Sequence, residues 1–283
     1  MATELKGAVG QSCRGGRMGE GEKIIAVVGD VHGRWEELVA QLEIACSFLG
    51  AGERLDAVLQ IGDAEATVDE GQLAEVHAKP DRHRLGDFHR VVAGEIVLPA
   101  PLYFIGGNHE PWRSLDRNGG IVRGGAPIAE NVHFLGRSGV VDVAGMTVAF
   151  FSGIRRPSGP VLQTAAERDA LSSVREHGFY VQDEVDELMR VESADILLTH
   201  DWPSGSGFVH KTELVGDEAV ARVLQRLRPL ASFHGHLHRR EDFVVDGIPV
   251  FARGCWGQGV PEWVSLFRVD LGAGSVTPFP HIR

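Results

Sequence analysis

The sequence predicts an α/β fold in which two packed mixed β-sheets are flanked by helices. In the first part of the chain, short apolar runs alternate with helical patterns, as in strand–helix–strand crossovers. In the later part, short paired runs joined by tight turns indicate antiparallel hairpins. Several of the apolar runs stop at a glycine followed by Asp, Asn or His, which predicts that one edge of the sheets collects polar side chains.

The first predicted elements form a strand–helix–strand unit. The β-branched run Lys23 to Val28 predicts a strand, and helical spacing follows from Trp35 to Leu49. The run Ala57 to Ile61 predicts a second strand, parallel to the first and next to it. Residues 64–101 are less regular, with a short predicted helix from Leu85 to Glu95, and we interpret them as an insertion over the sheet edge. Leu102 to Ile105 then predicts another buried strand.

The remaining predicted elements are hairpins and strand–helix pairs. Tight turns at Ala144-Gly145 and Val245-Asp246-Gly247 predict two hairpins, and helical spacing predicts helices at Asp183 to Val191 and Asp217 to Leu227. A Gly-rich segment spans Gly119 to Gly125. The strands predicted after it are Val132 to Leu135, Val140 to Val143, Met146 to Phe151, Asp195 to Leu198, Ala231 to Phe233, Phe243 to Asp246, Ile248 to Phe251 and Trp263 to Val269. The pattern predicts one domain, residues 23–283, after a disordered tail, residues 1–22.

Charge and composition exclude several classes of function. The chain has 28 Lys and Arg against 39 Asp and Glu, a net charge of −11, so we expect no extended nucleic-acid surface. No apolar run approaches the roughly 18 residues that cross a bilayer, so no membrane partner is expected. The three cysteines lack a Cys-x-x-Cys spacing, which favours a reducing, cytoplasmic setting.

Five loops at predicted strand ends carry residues of metal-binding type. They are Asp30 with His32, Asp63, Asn108 with His109, His200, and His236 with His238. Carboxylate, imidazole and amide groups together suit Mn, Fe or Zn rather than Ca. Taken singly, His200 also fits a hydrogen-bonded core histidine, and the two Asp residues fit helix caps. Their joint occurrence instead predicts two divalent metal ions, manganese first, with iron or zinc as alternatives.

The motifs Gly-Asp-x-His, Gly-Asp, Gly-Asn-His-Glu, an isolated His and Gly-His-x-His, in this order, resemble those of the calcineurin-like metallophosphoesterases. The resemblance implies a four-layer metallophosphoesterase sandwich and a dinuclear metal-dependent phosphoesterase that hydrolyses a phosphoester by attack of a metal-bound hydroxide. It implies His109 as the catalytic acid, and we expect Glu110 to steady His109 and Asp201 to orient His200. The implied ligands of one ion are Asp30, His32, Asp63 and His238, and those of the other are Asp63, Asn108, His200 and His236.

Within that superfamily, the sequence is similar to the catalytic domain of the RNA lariat debranching enzymes. The similar segments are Phe104 to Glu110, Ala129 to Gly136, Phe151 to Ile154 and Leu198 to Pro203. Debranching enzymes generally carry Cys where this chain has Asp30, and the carboxylate favours a fully occupied two-metal site. The resemblance favours a phosphodiesterase acting on a nucleotide or short RNA. The alternatives are a phosphomonoesterase of proteins or nucleotides, and a non-catalytic scaffold.

Two tryptophans close to these motifs, Trp202 and Trp256, have two interpretations. Either side chain is large and flat enough to stack on a nucleobase, but we interpret both as packing residues.

Overall fold

The computed structural model describes residues 21–118, 125–210 and 212–279. Its first half contains β1 (Glu22–Val28), α1 (Trp35–Cys46), β2 (Ala57–Gln60), α2 (Glu70–Leu73), α3 (Phe88–Val92), β3 (Leu102–Phe104), α4 (Trp112–Asn118), β4 (Ala126–Ala129), β5 (Val132–Phe134), β6 (Ser138–Val143) and β7 (Met146–Phe151). Then follow α5 (Ala165–Asp169), a 3₁₀ helix (Val174–Gly178), α6 (Gln182–Met189), β8 (Ile196–Thr199), β9 (Val209–His210), β10 (Glu213–Leu214), α7 (Glu218–Leu227), β11 (Ala231–His234), β12 (Glu241–Val245), β13 (Ile248–Ala252), β14 (Val264–Asp270) and β15 (Ser275–Pro278).

Two predicted segments fall mostly outside the described residues. They are the tail, residues 1–22, and the Gly-rich segment, of which only Gly125 is described. Glu22, the last residue of the predicted tail, belongs to β1 and pairs with Asp270 of β14. The larger sheet therefore includes Glu22 as well as Lys23.

The larger sheet has seven strands in the order β15-β14-β1-β2-β3-β5-β4. Strands β1, β2, β3 and β5 run parallel, as the strand–helix–strand pattern predicted, with Ile25 of β1 opposite Ala57 of β2. Strands β14, β15 and β4 are antiparallel additions. The carboxyl ends of the four parallel strands therefore meet at one edge.

The second sheet has six strands in the order β12-β13-β11-β8-β7-β6. Its inner strands β13, β11, β8 and β7 are parallel, and the two edge strands pair antiparallel through the predicted hairpins. Ala144 (φ 53°) and Gly145 (φ 85°) form one turn, and Asp246 (φ 51°) and Gly247 (φ 81°) form the other. These left-handed pairs match the twist of a tight hairpin, which explains the turn signal in the sequence.

Burial along β1 shows how the layers stack. Ile24 and Val28 pack with helix α1 on the outer face, whereas Ile25 and Val27 face the second sheet. On the far side, β8 and β13 contribute Leu197 and Val250 to a third apolar cluster, which they share with α6 and α7. The order helix, sheet, sheet, helix confirms the predicted four-layer α/β sandwich.

The predicted insertion is tied to the first helix. Asp87 precedes the short helix α3, yet its carboxylate accepts hydrogen bonds from the backbone N–H groups of Trp35 (2.6 Å) and Glu36 (3.0 Å) at the start of α1. Asp87 therefore caps α1 and holds the insertion against the loop that follows β1. In the described ranges, no helix is both long and apolar enough to cross a membrane.

Candidate metal centre

The candidate ligands lie at the carboxyl ends of parallel strands from both sheets. Asp30 and Asp63 follow β1 and β2 of the larger sheet, and Asn108 follows β3. His200 and His236 follow β8 and β11 of the smaller sheet. Because the two sheets face each other, loops that are far apart in sequence converge at one edge, as in open α/β folds.

The first predicted ligand set forms a compact group. The ligand atoms of Asp30, His32, Asp63 and His238 all lie within 4.8 Å of one another. His32 Nε2 is 3.0 Å from His238 Nε2 and 3.9 Å from Asp63 Oδ2. Asp30 Oδ2 lies 3.1 Å from His238 Nε2. Two carboxylates and two imidazoles thus surround one position, a donor set suited to a transition-metal cation.

The second predicted set adjoins the first through Asp63. Asp63 Oδ2 is 3.3 Å from Nε2 of His200, and the rings of His200 and His236 have centroids 5.2 Å apart. Asn108 and His236 line the same cavity, of about 380 Å³. The structure therefore brings all seven predicted ligands to this edge, with Asp63 between the two sets.

Several buried atoms of this group lack hydrogen-bond partners among the described residues. They include Asp30 Oδ2, Asn108 Oδ1 and His200 Nε2. A buried polar atom left unpaired costs about 1–3 kcal/mol, so native structures keep few of them without a reason. Carboxylate, amide and imidazole atoms that converge in this way are the donor types that coordinate a divalent cation. The donor set therefore fits divalent metal ions.

Carboxylates of the site shift the pKa of the His200 imidazole, and imidazoles shift the pKa of Asp63. Burial alone lowers the pKa of His200, but Asp63 and Asp30 outweigh it and raise the pKa to about 10. Burial likewise opposes ionisation of Asp63, yet the nearby imidazoles of His200 and His109 hold the pKa of its carboxyl well below its usual range. The carboxylates thus favour positive charge at the His200 ring, and a divalent cation would compete with the proton on this imidazole for the same lone pair.

Glu65 orients a predicted ligand and was missed by sequence reasoning. Its Oε1 lies 2.7 Å from Nδ1 of His32, which leaves Nε2 of that ring to face Asp63 and His238. Such a carboxylate partner fixes the tautomer and orientation of a ligating histidine. The available signal was the spacing Asp63-x-Glu65, which repeats the Asp30-x-His32 spacing.

The two supporting residues expected from the sequence act differently from the prediction. Glu110 is buried and accepts hydrogen bonds from the backbone N–H groups of Ala64 (2.7 Å) and Glu65 (3.0 Å), so it braces the loop that carries Asp63. The structure gives no hydrogen bond from Glu110 to the His109 side chain within the described ranges. Burial, with Asp63 nearby, raises the pKa of Glu110 well above its usual range.

Asp201 was expected to orient His200 and lies instead beside His236. Its Oδ1 is 3.8 Å from His236 Nε2, and its Oδ2 accepts a hydrogen bond from the Arg155 N–H (2.8 Å). Nδ1 of His200 is already hydrogen-bonded to the carbonyl oxygen of Ile61 (2.7 Å). The backbone carbonyl of Ile61 therefore orients the His200 ring, the role that was predicted for the Asp201 carboxylate.

The site is assembled on strained backbone. Five of its non-glycine residues have left-handed φ angles between 46° and 70°, and these are His32, Asp63, Glu65, His236 and His238. Such conformations are uncommon outside glycine and cluster at functional sites, where the surrounding structure holds them. Gly107 provides clearance, because a Cβ there would lie 2.2 Å from Asp63 Oδ1 and 2.6 Å from His200 Nε2.

His109 lies between two cavities. Its backbone N–H donates to Asp63 Oδ1 (2.7 Å), which ties its loop to the ligand shared by both sets. Its ring centroid is 5.3 Å from that of His32. His109 lines both the 380 Å³ cavity and a second cavity of about 500 Å³, and Lys79 of the insertion also borders both. The insertion therefore overhangs the site, as predicted.

Comparison with known proteins agrees with this geometry. The chain is similar to lariat debranching enzymes from Entamoeba histolytica (28% identity over 234 residues), Saccharomyces cerevisiae (27% over 240) and Homo sapiens (29% over 236). These alignments cover 76% of this chain and 63%, 57% and 42% of the respective relatives, so the chain spans about half the length of the proteins it matches.

One solved structure shares the fold at 12% identity, with a TM-score of 0.53 over 91% of this chain and 98% of that chain. The family model for calcineurin-like phosphoesterases matches residues 24–240, which include every predicted ligand. This match confirms the resemblance inferred from the motifs. The chain belongs to the calcineurin-like phosphoesterase family.

Proposed function

We propose that the protein is a dinuclear metal-dependent phosphoesterase and that its substrate is a phosphodiester. The observation that carries the proposal is the group of buried, unpaired donor atoms at the edge where loops from both sheets converge. Asp30, His32, Asp63 and His238 would hold one cation, and Asp63, Asn108, His200 and His236 the other. We propose manganese, with iron or zinc as alternatives, because the donors mix nitrogen and oxygen.

Two bound divalent cations supply Lewis acidity toward the phosphate oxygens and toward the attacking water. The residues of this chain then have separate tasks. Asp63 contacts members of both ligand sets and would be shared by the two cations. Glu65 keeps the His32 ring in one orientation, and the carbonyl of Ile61 does the same for His200. A rigid donor set fixes the position of the phosphate, which is a large part of phosphoryl-transfer catalysis.

His109 would donate the proton that the leaving oxygen takes up. It is in none of the proposed ligand sets, but its backbone N–H is bonded to Asp63. Its imidazole therefore stays in a fixed relation to the phosphate position while remaining free to transfer a proton. General acid catalysis by a positioned histidine contributes on the order of 10²–10⁴-fold in rate.

Two cavities that both border His109 favour a diester substrate over a monoester. A phosphodiester carries two substituents, and His109 borders cavities of about 500 Å³ and about 380 Å³ that could each receive one. A monoester needs only one such space. The similarity to lariat debranching enzymes points the same way, toward a nucleotide or short RNA, although Asp30 replaces the Cys that those enzymes generally carry. We also propose a cytoplasmic location, because the three cysteines lack a Cys-x-x-Cys spacing.

The test compares two chromogenic substrates that share a leaving group. The Mn-loaded protein should hydrolyse bis-p-nitrophenyl phosphate faster than p-nitrophenyl phosphate, with a 2′,5′-branched oligonucleotide and linear RNA tested alongside. Faster turnover of the monoester would favour the alternative, a phosphomonoesterase. Two metal ions bound per chain without hydrolysis of any phosphorylated substrate would favour the non-catalytic scaffold.

A further inference from the structure

Trp256 is an exposed aromatic residue in the larger cavity. It is 37% exposed, whereas the other four tryptophans, Trp35, Trp112, Trp202 and Trp263, are at most 1% exposed. The interpretation as a packing residue is therefore right for Trp202, whose Nε1 donates to the Gly235 carbonyl (2.8 Å), and wrong for Trp256. The indole of Trp256 lines the cavity together with His32, His109 and His238.

The loop that carries Trp256 is fixed to the candidate metal centre. The Trp256 N–H donates to the carbonyl oxygen of Asp30 (3.0 Å), and the next residue, Gly257, donates to Glu37 Oε1 (2.9 Å). Gln258 Nε2 donates to the carbonyl oxygen of His238 (3.1 Å). These bonds position the indole relative to two predicted ligands, so a group stacked on it would lie at a defined distance from the phosphate.

A second planar group accompanies the indole. The guanidinium carbon of Arg34 lies 4.8 Å from the centroid of the Trp256 ring, and Arg34 lines the same cavity. Cation–π contacts at exposed sites are weaker than stacking between a nucleobase and an aromatic side chain. A base is therefore able to take the place of the guanidinium on the ring or to stack on its free face.

Cationic side chains of the insertion border the same cavity. Lys79, Arg82 and Arg84 are exposed there and, among the described residues, form no ion pair with a carboxylate. The lining has three acidic residues. Glu65 is engaged by His32, and Asp87 by backbone N–H groups of α1, which leaves exposed Asp81 as the one acid beside these three cations. The cavity thus has a local cationic side within a chain of net charge −11.

We propose that the larger cavity binds one unpaired nucleotide of the substrate, with its base on Trp256 and Arg34 and a neighbouring phosphate facing the insertion. This inference rests on the proposed function and names the substrate class of the same site. Stacking on an exposed indole requires a base that is not in a duplex, so the ligand is a single-stranded nucleotide or a short oligonucleotide.

The first test measures binding without turnover. Because the other tryptophans are buried, stacking on Trp256 should quench the emission of the metal-free protein when adenosine 5′-monophosphate is added. Ribose 5-phosphate, which has no base, should not quench it. Trp256→Phe should abolish the quenching. Equal quenching by ribose 5-phosphate, or quenching that persists in Trp256→Phe, would overturn the proposal.

The second test uses two diesters with one leaving group, thymidine 5′-p-nitrophenyl phosphate and methyl p-nitrophenyl phosphate. Trp256→Ala should raise KM about tenfold for the nucleoside ester and leave the methyl ester unchanged, since stacking is lost only where a base is present. Trp256→Phe should retain most of the affinity. Phe48→Ala is the matched control, because Phe48 is 39% exposed and does not line either cavity.

The outcomes separate this inference from the proposed function. Equal losses with both esters in Trp256→Ala, or no loss with either, would overturn the nucleotide subsite while leaving phosphodiester hydrolysis intact. If the wild-type protein hydrolysed neither ester, the proposed function would fail, and base-dependent quenching by adenosine 5′-monophosphate would still support the subsite.

Discussion

Replacing Glu65 by Ala tests whether the His32 ring must be held in place for the site to bind metal. In the structure, Glu65 Oε1 is 2.7 Å from His32 Nδ1, and Glu65 itself is buried. The substitution removes this carboxylate without removing any predicted ligand. The His32 ring would then be free to rotate, and nothing would hold its Nε2 toward Asp63 and His238.

The expected loss is a 10- to 100-fold weaker metal affinity, the usual effect of removing a partner that orients a ligating histidine, or about 1.4–2.8 kcal/mol. Glu65→Gln should recover part of it. The Gln side chain keeps an oxygen that accepts from Nδ1, but hydrogen bonds with an ionised acceptor are roughly twice as strong as neutral ones. The order of affinity should be wild type, then Glu65→Gln, then Glu65→Ala.

Competition with a fluorescent chelator would measure manganese affinity in all three proteins. Glu95→Ala is the control, because Glu95 is an exposed acid that pairs with Arg90 in the insertion. Circular dichroism would verify that each variant is folded, which matters because Glu65 has a left-handed φ of 46°. Unchanged affinity in folded Glu65→Ala would refute the reasoning that this carboxylate controls the His32 ring.

The remaining predictions concern three neighbouring residues. His109→Ala should keep both metals by elemental analysis while losing about 10²–10⁴-fold in turnover, since it removes a proton donor and no ligand; metal loss would contradict that role. Asp63→Ala should strip metal from both positions, and full retention by elemental analysis would rule out a shared carboxylate. Gly107→Ala should lower metal content, because its Cβ would lie 2.2 Å from Asp63 Oδ1. Gly272→Ala is the control, because its new Cβ would lie 3.4 Å from the nearest atom. Wild-type metal content in Gly107→Ala would contradict the steric argument.

The strands and the loops after them could be predicted because local patterns determine them. Buried parallel strands appear as short apolar runs, and the glycines that end them are visible in the sequence. Once the runs before Asp30, Asp63 and Asn108 are assigned to parallel strands, their meeting at one edge follows from topology. The Ala144-Gly145 turn was equally local, because only certain residues accept its left-handed angles.

The orienting contacts could not be predicted, because they depend on distances across the fold. Glu65 reaches His32 only after the loops following β1 and β2 are brought together. Asp201 is adjacent to His200 in sequence, but adjacent side chains diverge, and its carboxylate points to His236. Short elements such as α4 and β15 lack a long periodic signal, so tertiary packing rather than local propensity determines them.

The position of Asp63 links the proposed metal ligands to the proposed proton donor. Its Oδ1 accepts the His109 N–H, and its Oδ2 faces the Nε2 atoms of His200 (3.3 Å) and His32 (3.9 Å). The loop of the proposed acid is thus bonded to the carboxylate that both ligand sets share. A shift of this carboxylate would therefore displace the acid together with the ligands. The left-handed φ of Asp63, 55°, and the lack of a side chain at Gly107 both serve to keep the carboxylate at this position.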